Sequence, residues 1–324
     1  MKEITVSIII VSYNTKTYIK GALESINDNL KDLLYEVIIV DNASSDGSAE
    51  FIKTHFPWAK VIENEENLGF AKACNQGVRI SKGKYILLLN PDTVILKDSI
   101  PTMIKFMENN PMAGACGLRL LNPDLTPEPR WLNYNFPPRW FLFPLIRSLI
   151  GKRFKKNINR TDSSEEIKEV DWVSGACMLI KREIYNESGG FDESYFMFFE
   201  EPDLCWRLKK RGYRVFLLNN VTAIHYGGGS YKENHLSIKA IHYFQNGYFL
   251  FRRKNYGRIN AFIHLTTDML DNLLVILIFS IAQLFVKDEE KMLERKKFIN
   301  GRMETIKCLW RLLKDTLSFA GRRN

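Results

Sequence analysis

Leu87-Leu88-Leu89-Asn90-Pro91-Asp92-Thr93 closes an apolar run that begins at Tyr85 and stops at a polar tip carrying one carboxylate. A continuous apolar run of strand length, bounded by turn residues, is the pattern of a parallel strand buried on both faces. In open α/β sheets, ligands bind outside the carboxyl ends of such strands. Asp92 therefore stands where a cation or a phosphate-bearing ligand belongs. An Asn-Pro-Asp turn without any ligand has the same composition, so the neighbouring stretches have to decide between the two.

They repeat the pattern. Val6–Ser12 is a β-branched strand with the polar exit Tyr13-Asn14-Thr15, after which Tyr18, Ala22 and Ile26 have helical spacing. Tyr35–Val40 is a second strand, running into Asp41-Asn42-Ala43-Ser44-Ser45-Asp46-Gly47-Ser48. A helix is expected over 48–55, a short strand near Lys60–Ile62, a polar loop over Glu63–Phe70 and a helix over Ala71–Ile80. Strand–loop–helix units in this succession predict a parallel sheet with helices on both faces. Each strand ends in polar residues: Asn14, Asp41, Asn67 and Asp92. That repetition points to a nucleotide-type site along one sheet edge. The first strand is not followed by G-x-G-x-x-G, and the chain has no G-x-x-x-x-G-K-[ST] loop. Phosphate must be handled differently, and a hard cation held by Asp92 would do it.

A helix over Ser99–Asn109 and a strand over Ala113–Leu121 follow. Residues 122–168 are irregular, with Pro123, Pro127, Pro129, Trp131, Pro137, Pro138 and Trp140 early and basic residues later. A loop of this length is either a functional lid or a mobile segment. Val170–Ile180 reads as two strand pieces bent at Gly175, where the missing side chain permits close backbone approach to a ligand. Phe196-Met197-Phe198-Phe199 is expected to be buried. Pro202 suits the first position of a helix running to Arg211 and stopped by Gly212. Glu200, Glu201 and Asp203 crowd the start of that helix. Acidic residues there are routine capping, but two adjacent carboxylates behind four large apolar residues point to a raised pKa and general-base work. His225 ends a further strand just before Gly227-Gly228-Gly229-Ser230. A lone His is commonly structural, yet this setting suits a metal or diphosphate contact.

In order along the chain stand Ser7-Ile8-Ile9-Ile10-Val11-Ser12-Tyr13-Asn14, Val40-Asp41-Asn42-Ala43-Ser44-Ser45-Asp46-Gly47, Glu66-Asn67-Leu68-Gly69-Phe70 and Asn90-Pro91-Asp92. Trp172-Val173-Ser174-Gly175-Ala176, Phe199-Glu200-Glu201-Pro202-Asp203-Leu204-Cys205-Trp206-Arg207 and His225-Tyr226-Gly227-Gly228-Gly229-Ser230 follow. This set, spanning residues 4–231, resembles the inverting glycosyltransferases of family 2, with a GT-A fold, and within them the bacterial rhamnosyltransferase-like branch. The resemblance implies an α/β, Rossmann-like mixed sheet with a nucleotide-sugar donor, dTDP- or UDP-linked, lying along the strand ends. It implies that Asp41 recognises the base, with Asn14, Asp46, Asn67 and Asn75 nearby, and that Gly175 and Ala176 line the sugar or acceptor region. Asp92, aided by His225, would hold Mg²⁺ or Mn²⁺ on the diphosphate, and Glu201 would deprotonate the acceptor hydroxyl. Two positions depart from the family pattern. Asn90 is neutral where the metal motif has its first carboxylate, and the usual Glu-Asp pair is here Glu200-Glu201.

The remaining sequence sets the partners. The net charge of +9 is uneven, with 11 Lys/Arg against 6 Asp/Glu in residues 287–324. Five scattered cysteines without CxxC spacing imply neither a zinc site nor a disulfide framework, and favour a reducing compartment. The first residues lack the basic and long apolar regions of a secretion signal. Residues 235–256 read as a helix, followed by the apolar run Leu273–Val286. That run is shorter than the roughly 20 residues a spanning helix needs, so it is expected to lie at an interface or be packed. The segment beyond it, with Met292, Ile299, Met303, Ile306, Leu309, Trp310 and Leu313 among many Lys/Arg, suits either an amphipathic helix on anionic lipid or a dimerising, core-covering helix.

The expectation is a GT-A domain over residues 1–232 and a C-terminal helical region over 233–324, membrane-peripheral or dimerising. The enzyme is expected to be cytoplasmic, at the inner face of the cytoplasmic membrane. It would transfer a sugar, with rhamnose from dTDP-rhamnose leading, to a lipid-linked glycan or growing surface polysaccharide. The alternative is a non-catalytic nucleotide-binding scaffold of a glycan-assembly complex. No nucleic acid is expected as partner, because no reading motif accompanies the charge.

Overall fold

The computed structural model describes residues 3–128, 136, 166–227, 238–283 and 288–320. Most of the Pro- and aromatic-rich loop, Gly228-Gly229-Ser230 and Leu284-Phe285-Val286 lie outside the described residues. The chain divides into two compact units, one of residues 1–136 and 161–233, the other of 137–160 and 234–324.

The first unit is built on one nine-stranded sheet. Its elements are β1 (Val6–Ser12), α1 (Lys16–Asn29), β2 (Tyr35–Asp41), α2 (Ser48–His55), β3 (Lys60–Glu63), α3 (Phe70–Ile80), β4 (Tyr85–Leu89) and β5 (Thr93–Ile95). They continue with α4 (Ser99–Asn109), β6 (Ala113–Leu121), β7 (Ile167–Val170), β8 (Cys177–Lys181), α5 (Arg182–Glu187), α6 (Glu200–Lys210) and β9 (Arg214–His225). The strand order is β3-β2-β1-β4-β8-β6-β9-β5, with β7 added alongside β9.

All seven residues of β1 are buried, because the sheet is covered on both faces. Period-2 alternation divides them. Val6, Ile8 and Ile10 pack with Ile19 and Leu23 of α1, Ile52 of α2 and Met103 of α4. Ile9 and Val11 pack with Ala71 and Cys74 of α3, Tyr185 of α5 and Leu204 of α6. Helix α3 crosses β1 so closely that a Cβ on Gly77 would meet Ile9 Cγ2 at 2.7 Å.

β1, β2, β3 and β4 are mutually parallel, as the repeating units predict. The other half is not: β8 is antiparallel to both β4 and β6, while β6 and β9 are parallel. The sheet is therefore mixed, and this has a consequence for the site. β4, β6 and β9 end on the edge where β8 begins, so residues from distant parts of the chain meet there.

Three local expectations change. Helix α6 starts at Glu200, two residues earlier than the reading of Pro202 as first helical position, with Phe199 in the left-handed conformation at φ 70° ahead of it. Pro202 remains within the first turn, where its missing N–H forfeits no helical bond. Phe196–Phe199 are half-buried rather than buried. The two strand pieces expected around Gly175 form, but they do not adjoin at a bend there: β7 pairs with β9, and β8 sits between β4 and β6.

The second unit is helical: α7 (Ile238–Asn255), α8 (Arg258–Gln283) and α9 (Glu289–Ala320). Phe249, Ala261, Leu265 and Leu309 form its apolar core. Among the described residues α8 alone is long and apolar enough to cross a membrane. The apolar character extends backward from Leu273 through Phe262, Ile263, Leu265 and Met269.

Candidate functional site

Parallel strands with aligned registers bring their ends together. Ser12 lies opposite Asp41, and Asp41 opposite Glu63, so the loops after β1, β2 and β3 share one edge. Neighbours of β1 connect in opposite directions, with β2 and β3 on one side and β4 on the other. This is the strand-order reversal at which α/β sheets open a crevice.

Asp41 is 3 % exposed. Its Oδ1 accepts a hydrogen bond from Ser44 N–H at 2.9 Å, whereas the buried Oδ2 has no partner. A buried acceptor left unmatched costs on the order of 1–3 kcal/mol, so Oδ2 is poised for a donor from a ligand. Asn14 (φ 55°) lies beside it. Its Oδ1 accepts from Ser45 N–H at 2.7 Å, and its own N–H donates to Ser44 Oγ at 2.9 Å. The β1 and β2 exits are thereby tied into one surface.

Other residues named from the sequence are committed to holding loops. Asp46 accepts from Lys16 N–H and Ser48 N–H, both at 2.9 Å, and from the Ser48 hydroxyl. Partial burial pushes its pKa up, but these hydrogen bonds outweigh that and hold it below the usual carboxylate range. Asn67 Oδ1 accepts from Asn42 Nδ2 and Gly69 N–H, each at 3.0 Å. Asn75 lies on α3 and spends its amide on the segment around Phe191. It accepts from Tyr185 Oη at 2.6 Å and Phe191 N–H at 3.1 Å, and donates to Phe191 O and Glu193 Oε1. Asn42, which the sequence marks only as part of a motif, is 2 % exposed. It accepts from Asn64 Nδ2 and Leu68 N–H, pinning the loop ahead of α3.

The exit of β4 meets β8 and β9. Asn90 N–H donates to Ala176 O at 3.1 Å. Thr93 pairs with His225 across β5 and β9, which sets Asp92 Oδ1 3.3 Å from His225 Nε2. Asn90 Nδ2 is 3.5 Å from the same nitrogen. The other ring nitrogen, Nδ1, lies 2.9 Å from Glu128 Oε2. Sequence reasoning missed Glu128, since neither periodicity nor its position between two prolines distinguishes it. Burial alone would pull the His225 pKa down, but hydrogen bonds and charge from Asp92 and Glu128 raise it to about 9.

Asp92 and His225 fit a divalent cation as a partial donor set. One carboxylate oxygen and one imidazole nitrogen stand side by side, and a carboxylate orients the imidazole from behind, as is usual for metal-ligating His. Among the described residues no group of three or more His, Cys, Asp or Glu could hold a metal ion unaided. Remaining ligands would have to come from substrate oxygens, as is common where Mg²⁺ or Mn²⁺ engages phosphates.

The acidic pair sits at the start of α6. Gly175 N–H donates to Glu201 Oε1 at 3.1 Å. A Cβ at position 175 would lie 3.0 Å from that oxygen, so the glycine is what admits the carboxylate. Glu200 is 2 % exposed. Burial, reinforced by the neighbouring Glu201, pushes its pKa well above the ordinary value. Burial also raises Glu201, against the opposing hydrogen bonds of Gly175 and Glu200. Glu200 thus keeps the proton and Glu201 is the partner that ionises. Asp203 is spent structurally, accepting from Arg207 Nε at 2.8 Å and Tyr195 Oη at 3.1 Å.

Comparison with known proteins identifies the family. The family model of Glycosyl transferase family 2 matches residues 7–189. Rhamnosyltransferase WbbL of Escherichia coli is 33% identical over 234 residues, covering 68% of this chain and 83% of that protein. The N-acetylglucosaminyl-diphospho-decaprenol L-rhamnosyltransferase of Mycobacterium tuberculosis is 27% identical over 227 residues, covering 64% and 71%. Among solved structures, the mannosyltransferase PcManGT from Pyrobaculum calidifontis, in complex with GDP-Man and Mn²⁺, superposes with a TM-score of 0.56 at 17% identity. That match covers 97% of this chain and 88% of the other. A mixed sheet of this order, with these motifs at its carboxyl edge, is the GT-A architecture of a glycosyltransferase. The chain belongs to glycosyltransferase family 2, and its relatives place it with the rhamnosyltransferase-like members.

Proposed function

We propose that the chain is an inverting, metal-dependent glycosyltransferase. It transfers rhamnose, or a related sugar, from a dTDP- or UDP-linked donor to a lipid-linked glycan or growing polysaccharide. The observation that carries the reading is the convergence on one sheet edge of three dissimilar groups. They are an unmatched buried acceptor at Asp41, a cation-type donor pair at Asp92 and His225, and an adjacent carboxyl pair at Glu200 and Glu201 whose pKa values burial raises. The names of the two rhamnosyltransferase relatives favour the sugar, and that of the Mycobacterium tuberculosis relative favours a lipid-linked acceptor.

Asp41 Oδ2 accepts the imide N–H of a pyrimidine base, a donor that uracil and thymine share. Asp92 and His225 would hold Mg²⁺ or Mn²⁺, which would supply positive charge against the diphosphate. Glu201, held by Gly175, accepts the proton of the acceptor hydroxyl as that oxygen attacks the anomeric carbon from the face opposite the diphosphate. Glu200 stays protonated and donates to Glu201, keeping a second negative charge out of a buried site. A single displacement of this kind inverts the anomeric configuration.

Thermal stability against dTDP, UDP, dTDP-rhamnose and other nucleotide sugars, with and without Mn²⁺, tests the donor site. A ligand at 100 times its Kd stabilises by about 2.7 kcal/mol, so binding shows as a clear shift in Tm. Metal-dependent shifts with dTDP or UDP species, lost in Asp92→Ala, are expected. No shift with any nucleotide defeats the reading.

The second unit is proposed to dock the enzyme on anionic lipid. Leu270, Leu273, Leu274, Leu277 and Ile281 form an exposed apolar stripe along one face of α8, with the i, i+3, i+4, i+7 spacing of an amphipathic surface. Exposed Arg253, Lys254 and Arg258 lie near its start, and exposed Lys296 and Lys297 on α9. Cationic flanks beside an apolar stripe are what a negatively charged headgroup layer selects. Co-sedimentation of the full chain with phosphatidylglycerol vesicles should exceed that with phosphatidylcholine, and Leu273→Glu with Leu277→Glu should abolish it. Equal sedimentation of wild type and variant, or a dimer that the variant dissociates, overturns lipid docking.

A further inference from the structure

We infer that Glu128 is a positioning residue for the cation site: it holds the His225 ring so that Nε2 faces Asp92 as a ligand. The inference rests on the proposed donor site and names a residue outside every sequence motif.

The sheet makes the contact unavoidable. β6 and β9 are parallel neighbours, and Leu121 lies opposite Ile224 at their ends. The chain leaving β6 therefore passes beside His225, while β5 brings Asp92 to the other side through the Thr93–His225 pair. His225 is held between the two, at 2.9 Å from Glu128 and 3.3 Å from Asp92. The loop carrying Glu128 is fixed. Leu121 bridges Pro127, and Glu128 N–H donates to Leu120 O at 3.0 Å. Gly227, at φ +59°, lies beside the same carboxylate: a Cβ there would stand at ordinary contact distance, 3.4 Å, from Glu128 Oε1.

Burial makes the arrangement directional. Glu128 is 4 % exposed and His225 5 % exposed. An ionised carboxylate only accepts hydrogen bonds, and one buried this deeply is costly without a donor. The Nδ1 hydrogen is that donor. With Nδ1–H engaged, the ring cannot flip without stranding Glu128, and Nε2 is the nitrogen aimed at Asp92, where a cation would take the place of the Nε2 hydrogen. A carboxylate behind a ligating imidazole fixes tautomer and orientation, and its loss typically costs 10- to 100-fold in metal affinity.

The charge of Glu128 and its reach can be separated. Gln keeps the reach, with an amide oxygen that still accepts from Nδ1–H, but removes the charge. Asp keeps the charge but is one methylene short of the ring. Positioning predicts that Glu128→Gln retains Mn²⁺ better than Glu128→Asp, and a purely electrostatic role predicts the reverse. Mn²⁺ binding to the full chain in the presence of dTDP or UDP is read by electron paramagnetic resonance, with nitrogen modulation reporting a bound imidazole. Wild type should show coordinated nitrogen, and His225→Ala none. Glu128→Asp should weaken Mn²⁺ by 10-fold or more with a diminished nitrogen signal, and Glu128→Gln should stay within a few-fold of wild type.

Retention of both affinity and nitrogen signal in Glu128→Asp overturns the inference, as does Asp outperforming Gln. If wild type binds Mn²⁺ with nitrogen coordination while the variants are unchanged, Glu128 alone has been misread. If wild type binds no Mn²⁺ with either nucleotide, the donor-site reading has failed and takes the inference with it. Circular dichroism of each metal-free variant separates loss of the ring contact from loss of the fold.

Discussion

Glu201→Gln is the perturbation that isolates the proposed base from everything else in the site. The substituted amide has the volume of the carboxylate, and its oxygen can still accept from Gly175 N–H at the 3.1 Å separation seen here. Fold, loop and donor binding should therefore survive, with the Kd for dTDP or UDP within about twofold of wild type. Basicity is lost. A positioned general base is worth roughly 10²- to 10⁴-fold in rate, so kcat should fall by that factor, about 2.7–5.4 kcal/mol of barrier. The pH dependence of stability offers a second reading on the same variant. Both Glu200 and Glu201 have folded-state pKa values raised above the ordinary glutamate value, so the folded protein binds protons that the unfolded chain releases. Stability from this pair is complete below the unfolded pKa and is lost as pH rises through the folded values, with a slope of at most about 1.4 kcal/mol per pH unit per proton. Removing Glu201 also removes its push on Glu200, so the decline of Tm with pH should become shallower in Glu201→Gln. The assay is donor consumption with a competent acceptor, alongside thermal melts from pH 5 to pH 8. Turnover within a few-fold of wild type, with nucleotide binding intact, would refute the assignment of Glu201 as base.

Other perturbations test the surrounding assignments. Asp41→Asn replaces an unmatched buried acceptor with a donor, so nucleotide affinity measured by calorimetry should fall about 10- to 100-fold, following the 1–3 kcal/mol cost of a mispaired buried group. Gly175→Ala places a Cβ 3.0 Å from Glu201 Oε1. It should lower kcat by an order of magnitude or more through displacement of the base, with little change in the nucleotide Kd. Asn75→Ala strips four hydrogen bonds from the segment around Phe191. Denaturant melts should show a loss of about 2–4 kcal/mol, whereas nucleotide affinity should hold. Gly69→Ala combines a left-handed φ of +84° with a Cβ 2.6 Å from Phe196 O, and should destabilise by about 1–3 kcal/mol or more.

The parallel half of the sheet was legible because burial on both faces leaves a plain signature. Val6–Ser12, Tyr35–Asp41 and Tyr85–Leu89 are continuous apolar runs that stop at polar residues, and the helices between them have an apolar face to read. The start of α6 was misplaced because proline is permitted anywhere in a first turn, so Pro202 could not fix the boundary. The residues around Gly175 read as two strand pieces joined at a bend because pairing partners are not encoded in local periodicity. β8 takes its place between β4 and β6 only once the sheet has formed.

The site divides in the same way. Chain order alone put Asn14, Asp41, Asn67 and Asp92 at strand ends, since a parallel strand delivers its exit to one edge whatever follows. Composition also named Glu201 and His225 as groups with chemistry to do. Packing then decided what each residue contacts. Asp46, Asn67 and Asn75 have the polar side chains of ligand contacts, but their hydrogen bonds go to loops and helix starts. Asp41 alone of these keeps a buried oxygen unmatched. Glu128 has no local signal at all, because its partner lies 97 residues away and is reached only through the register of β6 against β9. Local sequence determines where a strand ends and which groups stand there, through burial and backbone propensity. Whether such a group faces a ligand or another residue depends on which distant backbone lies beside it, and that contact exists only in the folded sheet.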